Sequence, residues 1–154
     1  MPKKILKADM EKRKTHMELQ KKEIKERLQH IKKKILVMSG KGGVGKSSVA
    51  AYLSVTLAKK GYIVGLINVD LHGPDIPRLL GLKGSVRPGR QKRKMLPVQY
   101  LPNMEVISIE ILMEDKDAAS IWRGPVKAGV IRQFIADIEW GDLDYLIIDS
   151  PPAT

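Results

Sequence analysis

Ile35-Leu36-Val37-Met38-Ser39-Gly40-Lys41-Gly42-Gly43-Val44-Gly45-Lys46-Ser47-Ser48 is the stretch on which the reading of the whole chain turns. Ile35 to Met38 is a short apolar run ended by glycines, the pattern of a strand buried on both faces. Gly40 to Ser47 then matches the phosphate-binding loop pattern G-x-x-x-x-G-K-[ST] at every fixed position. From Val44 to Lys60 the pattern turns helical, with Val49, Ala50, Leu53 and Leu57 on one face and Gly61 as a left-handed stop. Strand, glycine loop and helix in that order suit a phosphate group. The glycines bring backbone N–H groups onto anionic oxygens without Cβ obstruction, and the helix start points its positive end at the same place. Residues Gly40, Lys41, Gly42, Gly43, Val44, Gly45, Lys46, Ser47 and Ser48 are therefore the expected nucleotide cradle, with Lys46 on the terminal phosphates and Ser47 offering its hydroxyl to Mg²⁺.

Outward from the loop, strand and helix patterns alternate. Tyr62 to Asn68, Met104 to Ile109 and Leu143 to Ile148 read as strands, and residues 118–138 as a helix interrupted or begun near Gly124-Pro125. Leu79-Leu80-Gly81 ends a short helix that Asp75 caps and Pro77 opens. Residues 82–103, rich in Gly, Pro and basic side chains, read as a long surface loop with a short hairpin at most. The fold class that follows is α/β, a mostly parallel sheet with helices on both faces. Parallel strands deliver their C-terminal residues to one rim of the sheet, where ligands bind. Asp149, closing the last strand, is placed there to hold Mg²⁺, partly through water. Asp70, after the second strand, reaches the same rim and is a candidate to orient or activate the attacking water, or to support the metal shell.

Composition bounds the remaining possibilities. The chain has 154 residues and no cysteine, which excludes a disulfide scaffold, a thiol nucleophile and a cysteine-ligated zinc or iron–sulfur site held by this chain alone. No apolar run is long enough to cross a bilayer and no signal-peptide pattern opens the sequence, so a cytoplasmic location is expected. The formal charge of +11 is concentrated at the front: residues 1–34 hold thirteen Lys/Arg against five Asp/Glu. Residues 9–34 lack Gly and Pro and read as a charged helix, with Met10, Met17, Ile24 and Ile31 repeating every seven residues. Arg13, Gln20 and Arg27 at the alternate core positions argue against a self-sufficient coiled coil. Residues 1–34 are thus expected to be a basic helical extension and residues 35–154 the globular part. Nucleic acid or an anionic surface is a possible partner of this arm and of the basic residues in 83–94, with a solvated arm and loop as the preferred reading.

Lys41 makes the loop Lys-Gly-Gly-Val-Gly-Lys-Ser, which resembles the deviant Walker A of the MinD/ParA superfamily of P-loop NTPases. Asp70-Leu71-His72-Gly73-Pro74, Trp122-Arg123-Gly124-Pro125 and Trp140-Gly141-Asp142-Leu143-Asp144-Tyr145 resemble segments of the Mrp-type iron–sulfur cluster carrier ATPases, in the family's order. The resemblance covers about residues 28–154. It implies ATP and Mg²⁺ as cofactors, slow ATP hydrolysis, a nucleotide-linked homodimer and iron–sulfur acceptor proteins as partners. By the same resemblance Lys41 crosses to the partner's phosphates, while Lys41, Lys46 and Asp70 are the catalytic set and Asp149 is the Walker B aspartate. Asn68 stands where many relatives have the first of two aspartates, and Ala153 follows Pro151-Pro152 where the family has glycine. Family members also continue for about a hundred residues, a domain-scale increment that holds a Cys-x-x-Cys pair. The chain therefore reads as an N-terminal portion, its sheet truncated after the Walker B strand and its stability dependent on a complementing chain or a second copy. The alternatives are a ParA/MinD-like positioning ATPase that binds DNA or membrane, and a nucleotide-binding fragment without turnover. Single histidines and the two tryptophans, Trp122 and Trp140, read as packing residues rather than ligands.

Overall fold

The computed structural model describes residues 2–41, 45–69, 76–82, 87–90, 94–110 and 136–150. Its principal sheet runs in the order β1 (Ile31–Val37), β7 (Leu143–Asp149), β2 (Val64–Asn68), β6 (Met104–Ser108), β5 (Val98–Leu101). The first four strands are mutually parallel, and β5 is antiparallel to β6. A two-stranded hairpin, β3 (Arg87–Pro88) with β4 (Met95–Leu96), stands beside the sheet. The helices are α1 (Pro2–Gln29), α2 (Lys46–Lys59) and α3 (Ile76–Leu80).

The centre of the sheet follows from apolar content. Every residue of β2 is buried, and β7 beside it is buried from Leu146 to Asp149. Alternate side chains divide between two cores. Leu66, Val106 and Ile147 pack with Ala50, Ala51 and Ala58 of α2 on one face. Ile67, Ile107 and Ile148 pack with Trp140, and with Ile24 and Leu28 of α1, on the other.

Several boundaries differ from expectation. The strand before the loop starts at Ile31, so Ile31 to Lys34 belong to the sheet and not to the helical arm. It is not buried on both faces: only Ile31 is buried, and Leu36 is about half exposed. The reason is its place at the end of the strand order, paired with β7 alone among the described residues. An apolar run does not by itself distinguish an edge from a centre. On α2 the buried face is Ala50, Ala51, Ser54 and Ala58, while Val49 is exposed. Small residues let the helix axis approach the sheet, and the larger Leu53 and Leu57 sit at the margin of that contact. Within 82–103 the sequence reading overlooked β5, which adds an antiparallel edge through Val98, Gln99 and Leu101.

Gly61 ends α2 as its position predicts. Its φ is +96°, its N–H donates to Ala58 O, and Tyr62 N–H donates to Leu57 O, the paired bonds of a Schellman stop. Gly81 and Leu82 repeat the arrangement on Arg78 O and Pro77 O at the end of α3. Asn103, in the β5–β6 turn, donates from Nδ2 to Ala58 O and Tyr62 O, tying the end of α2 to the sheet. The expected helix over 118–138 lies almost wholly outside the described residues, as do Asp75, His72, Trp122 and Arg123. Trp140 is buried, as expected of a packing residue.

Candidate functional site

Strand register builds one rim. Asp149, Asn68 and Ser108 are the last residues of β7, β2 and β6, and they are paired across the sheet, Asp149 with Asn68 and Asn68 with Ser108. All three are buried. Val37, the last residue of β1, pairs with Asp149 on the other side. Ser150 Oγ donates to Val37 O at 2.9 Å, fixing the ends of β1 and β7 together where the loop leaves the sheet.

The helix that follows the loop brings its first two residues onto this rim. Gly45 adopts φ +90°, a left-handed conformation that favours glycine, and no side chain caps the start of α2. Lys46 and Ser47 are buried although polar, with fractional exposures of 8% and 3%. Both find Asp149. Lys46 Nζ donates to Asp149 Oδ1, and Ser47 Oγ donates to Asp149 Oδ2 at 2.8 Å. The carboxylate is fully buried, so both oxygens are satisfied by side chains from residues 103 and 102 positions away in sequence. Burying an ionised carboxylate is costly unless it is paired and hydrogen-bonded, and here it is both.

Asn68 Nδ2 donates to Ser108 Oγ at 3.1 Å, and Ser108 Oγ also accepts from Glu110 N–H at 3.3 Å. The rim is therefore polar from Asp149 through Asn68 to Ser108. Asn68 adds a carboxamide where an aspartate would add a second negative charge beside Asp149. Ser108 was not anticipated from the sequence. The available signal was its position, a hydroxyl closing a strand whose other residues are mostly apolar.

Of the residues expected at the site, the structure brings Lys46, Ser47 and Asp149 together. Gly40 and Lys41 are exposed at the entry to the loop, where Ser39 Oγ donates to Lys41 O at 2.7 Å, and Ser48 is half-buried at the start of α2. Gly42, Gly43, Val44 and Asp70 lie outside the described residues. The donor set fits Mg²⁺: a hydroxyl and a carboxylate that already meet are hard oxygen ligands, and Mg²⁺ commonly takes one or two protein oxygens with the remainder from phosphates and water. It does not fit an iron–sulfur cluster, because the chain has no thiol. Among the described residues no group of three or more His, Cys, Asp or Glu is placed to hold a metal. No described helix is long and apolar enough to cross a membrane.

Comparison with known proteins gives one consistent answer. The ParA family profile described as NUBPL iron-transfer P-loop NTPase matches residues 30–154. An iron-sulfur cluster carrier protein of Methanococcus maripaludis is 44% identical over 147 residues, covering 96% of this chain and 50% of the relative. The cytosolic Fe-S cluster assembly factor NUBP2 homolog of Dictyostelium discoideum is 51% identical over 126 residues, covering 80% of this chain and 47% of its own length. The cytosolic Fe-S cluster assembly factor CFD1 of Kluyveromyces lactis is 46% identical over 133 residues, covering 84% and 47%. Among solved structures, a nucleotide-binding protein from Archaeoglobus fulgidus in complex with ADP superposes with a TM-score of 0.69 at 44% identity, over 85% of this chain and 49% of that one. The chain spans about half the length of the curated relatives it matches.

Proposed function

Since this chain belongs to the ParA family of NUBPL-type iron-transfer P-loop NTPases, we propose that it binds ATP with Mg²⁺ in the service of iron–sulfur cluster carriage. The observation that carries this reading is the meeting of Lys46, Ser47 and Asp149 at the C-terminal rim of a parallel sheet. Those three groups are a phosphate-seeking cation, a metal-seeking hydroxyl and a metal-seeking carboxylate. On this reading Lys46 exchanges Asp149 for the terminal phosphates, and Ser47 and Asp149 turn toward the metal. Mg²⁺ would neutralise phosphate charge there. Backbone N–H groups between Gly40 and Ser48 line the anion, and the uncapped start of α2 lends its positive end.

Slow hydrolysis, with Asp70 orienting water and Lys41 reaching a second subunit's phosphates, belongs to the proposal by family resemblance, as do a homodimer or complementing chain, acceptor proteins for the cluster and a cytoplasmic location. The cluster itself is cargo. Without cysteine, these 154 residues supply nucleotide chemistry and not cluster ligands. The test is titration of the purified chain with a fluorescent ATP analogue, with and without Mg²⁺, comparing the parent with Lys46→Ala. Loss of one charge-assisted phosphate contact is expected to weaken binding by at least about tenfold. Equal affinity in the two proteins would remove the loop from the argument.

A further inference from the structure

Helix α1 runs 28 residues, about 42 Å at 1.5 Å per residue, and among the described residues its contacts with the body gather at its C-terminal end. Ile24 and Leu28, partly buried, pack against the core cluster that contains Trp140, Lys94 Nζ donates to Glu23 Oε2 at 3.0 Å, and His30 Nδ1 lies 2.8 Å from Asp142 Oδ1. Leu6, Met10 and Met17 lie on the same stripe of the helix as Ile24 and Leu28, all five within about 40° of arc at 100° per residue. Yet those three are 52–66% exposed. The docked seam therefore continues along the arm as an exposed apolar stripe, with no covering among the described residues.

Charge is arranged along this seam. Lys3, Lys14 and Lys21 flank it on one side, about 40–60° from its centre, with Lys7 and Lys25 just behind. None of the five has an ion pair among the described residues. On the other side Arg13 lies about 40° and Asp9 about 80° from the seam's centre, while Glu11, Glu18, Glu23 and Glu26 project roughly 100° or more away. At the root of the arm the lysine row runs into a groove of ≈ 560 Å³ lined by Lys21, Ile24, Lys25, Leu28, Gln29 and Lys34, the last on the edge strand β1.

We propose that this seam and groove dock an amphipathic helical segment of another protein that carries acidic residues along one flank. Three features select that occupant. The seam is narrow, five apolar positions from Leu6 to Leu28 within about 40° of arc, which suits a helix laid alongside it. A second copy would bring an arm with ten Lys/Arg against five Asp/Glu, repeating the same lysine row. Duplex nucleic acid would meet the lysines but leave Leu6, Met10 and Met17 in water. The proposal does not depend on the nucleotide site.

The test uses the whole chain and a fluorescent helical peptide of about three heptads, with leucine along its seam and glutamate on its flanks. Its companion has lysine in place of each glutamate. Fluorescence anisotropy is expected to show the acidic peptide binding on the order of tenfold or more tighter than the basic one. Met10→Ser with Met17→Ser is expected to weaken it, and Lys14→Glu with Lys21→Glu to reverse the preference. Far-UV circular dichroism and ATP-analogue binding serve as folding controls, since none of these positions touches the loop. Equal binding of the two peptides, or no binding, would overturn the proposal. So would tighter binding to a duplex of about 20 base pairs, or to phosphatidylcholine vesicles with about 30% phosphatidylserine, or arm-dependent dimerisation in sedimentation.

Discussion

Replacing Lys46 by methionine isolates what the buried pair contributes to the fold before any ligand arrives. The side chains of Lys46 and Asp149 are 5% and 0% exposed, so removing the ammonium leaves a carboxylate sealed in the protein with Ser47 Oγ as its remaining side-chain donor among the described residues. Breaking a buried pair from one side costs about 3–5 kcal/mol. A domain of this kind has about 5–15 kcal/mol in all, so the variant keeps only part of its stability. Asp149→Asn should cost less, about 1–3 kcal/mol. The asymmetry comes from anchorage. Asp149 is set in a strand with neighbours on both sides and cannot turn to water, whereas Lys46 has a four-carbon stem at the start of a helix next to the loop. The double variant should cost clearly less than the two single costs together, with a coupling of about 2 kcal/mol. Urea unfolding at neutral pH without nucleotide, followed by tryptophan fluorescence and circular dichroism, measures all four proteins. With a slope of about 1–3 kcal/mol/M, the Lys46→Met midpoint should fall by more than about 1 M. A Lys46→Met midpoint within experimental error of the parent, or additive costs in the double variant, would refute the view that the two charges hold each other.

Other predictions draw on separate parts of the fold. Gly65→Ala would place a Cβ 2.8 Å from Leu143 Cδ1 and 2.8 Å from Trp140 Cζ3, overpacking a buried strand, and should lower stability by about 1–3 kcal/mol in the same urea assay. Burial raises the Glu105 carboxyl above its ordinary range, and its Oε2 has no hydrogen-bond partner. A raised acid stabilises the fold below its ordinary range and loses that contribution as pH rises through the folded value, so Glu105→Gln should be more stable than the parent at neutral pH, with the gap closing on acidification. The Asp144 carboxyl is lowered, first by the Ile63 N–H it accepts and then by Lys32, so its contribution is present above the ordinary carboxylate range and is lost as pH falls through the folded value. Asp144→Ala should therefore lower the urea midpoint at neutral pH and have little effect at the acid end of the same pH series.

The glycine pattern from Gly40 to Ser47 and the apolar runs ending at Asn68 and Asp149 were enough to place the parallel core, and they put Lys46, Ser47 and Asp149 at one rim. That part was legible because each element had its own local signal: a fixed glycine spacing, a strand-length apolar run, or a stop such as Gly61. What was not legible depended on neighbours. Ile35 to Met38 looks like an interior strand, but three lysines precede it and it lies at the end of the strand order. Val49 has a good apolar side chain and faces outward, because contact with the sheet selected Ala50, Ala51 and Ala58 for their small size. β5 was hidden by a neighbouring proline and an exposed glutamine, which suit an antiparallel edge and read as loop. Ser108 acquires meaning only from its register with Asn68.

The contact between Lys46 and Asp149 also bears on which ions the loop would accept in its proposed role. Each charge already has its opposite, so a passing chloride or sulfate offers Lys46 a replacement partner while stranding the carboxylate. A polyphosphate arriving with a divalent cation offers both replacements in a single exchange. Selection would then rest less on how strongly the loop attracts anions than on whether a visitor can divorce the pair without leaving either member alone.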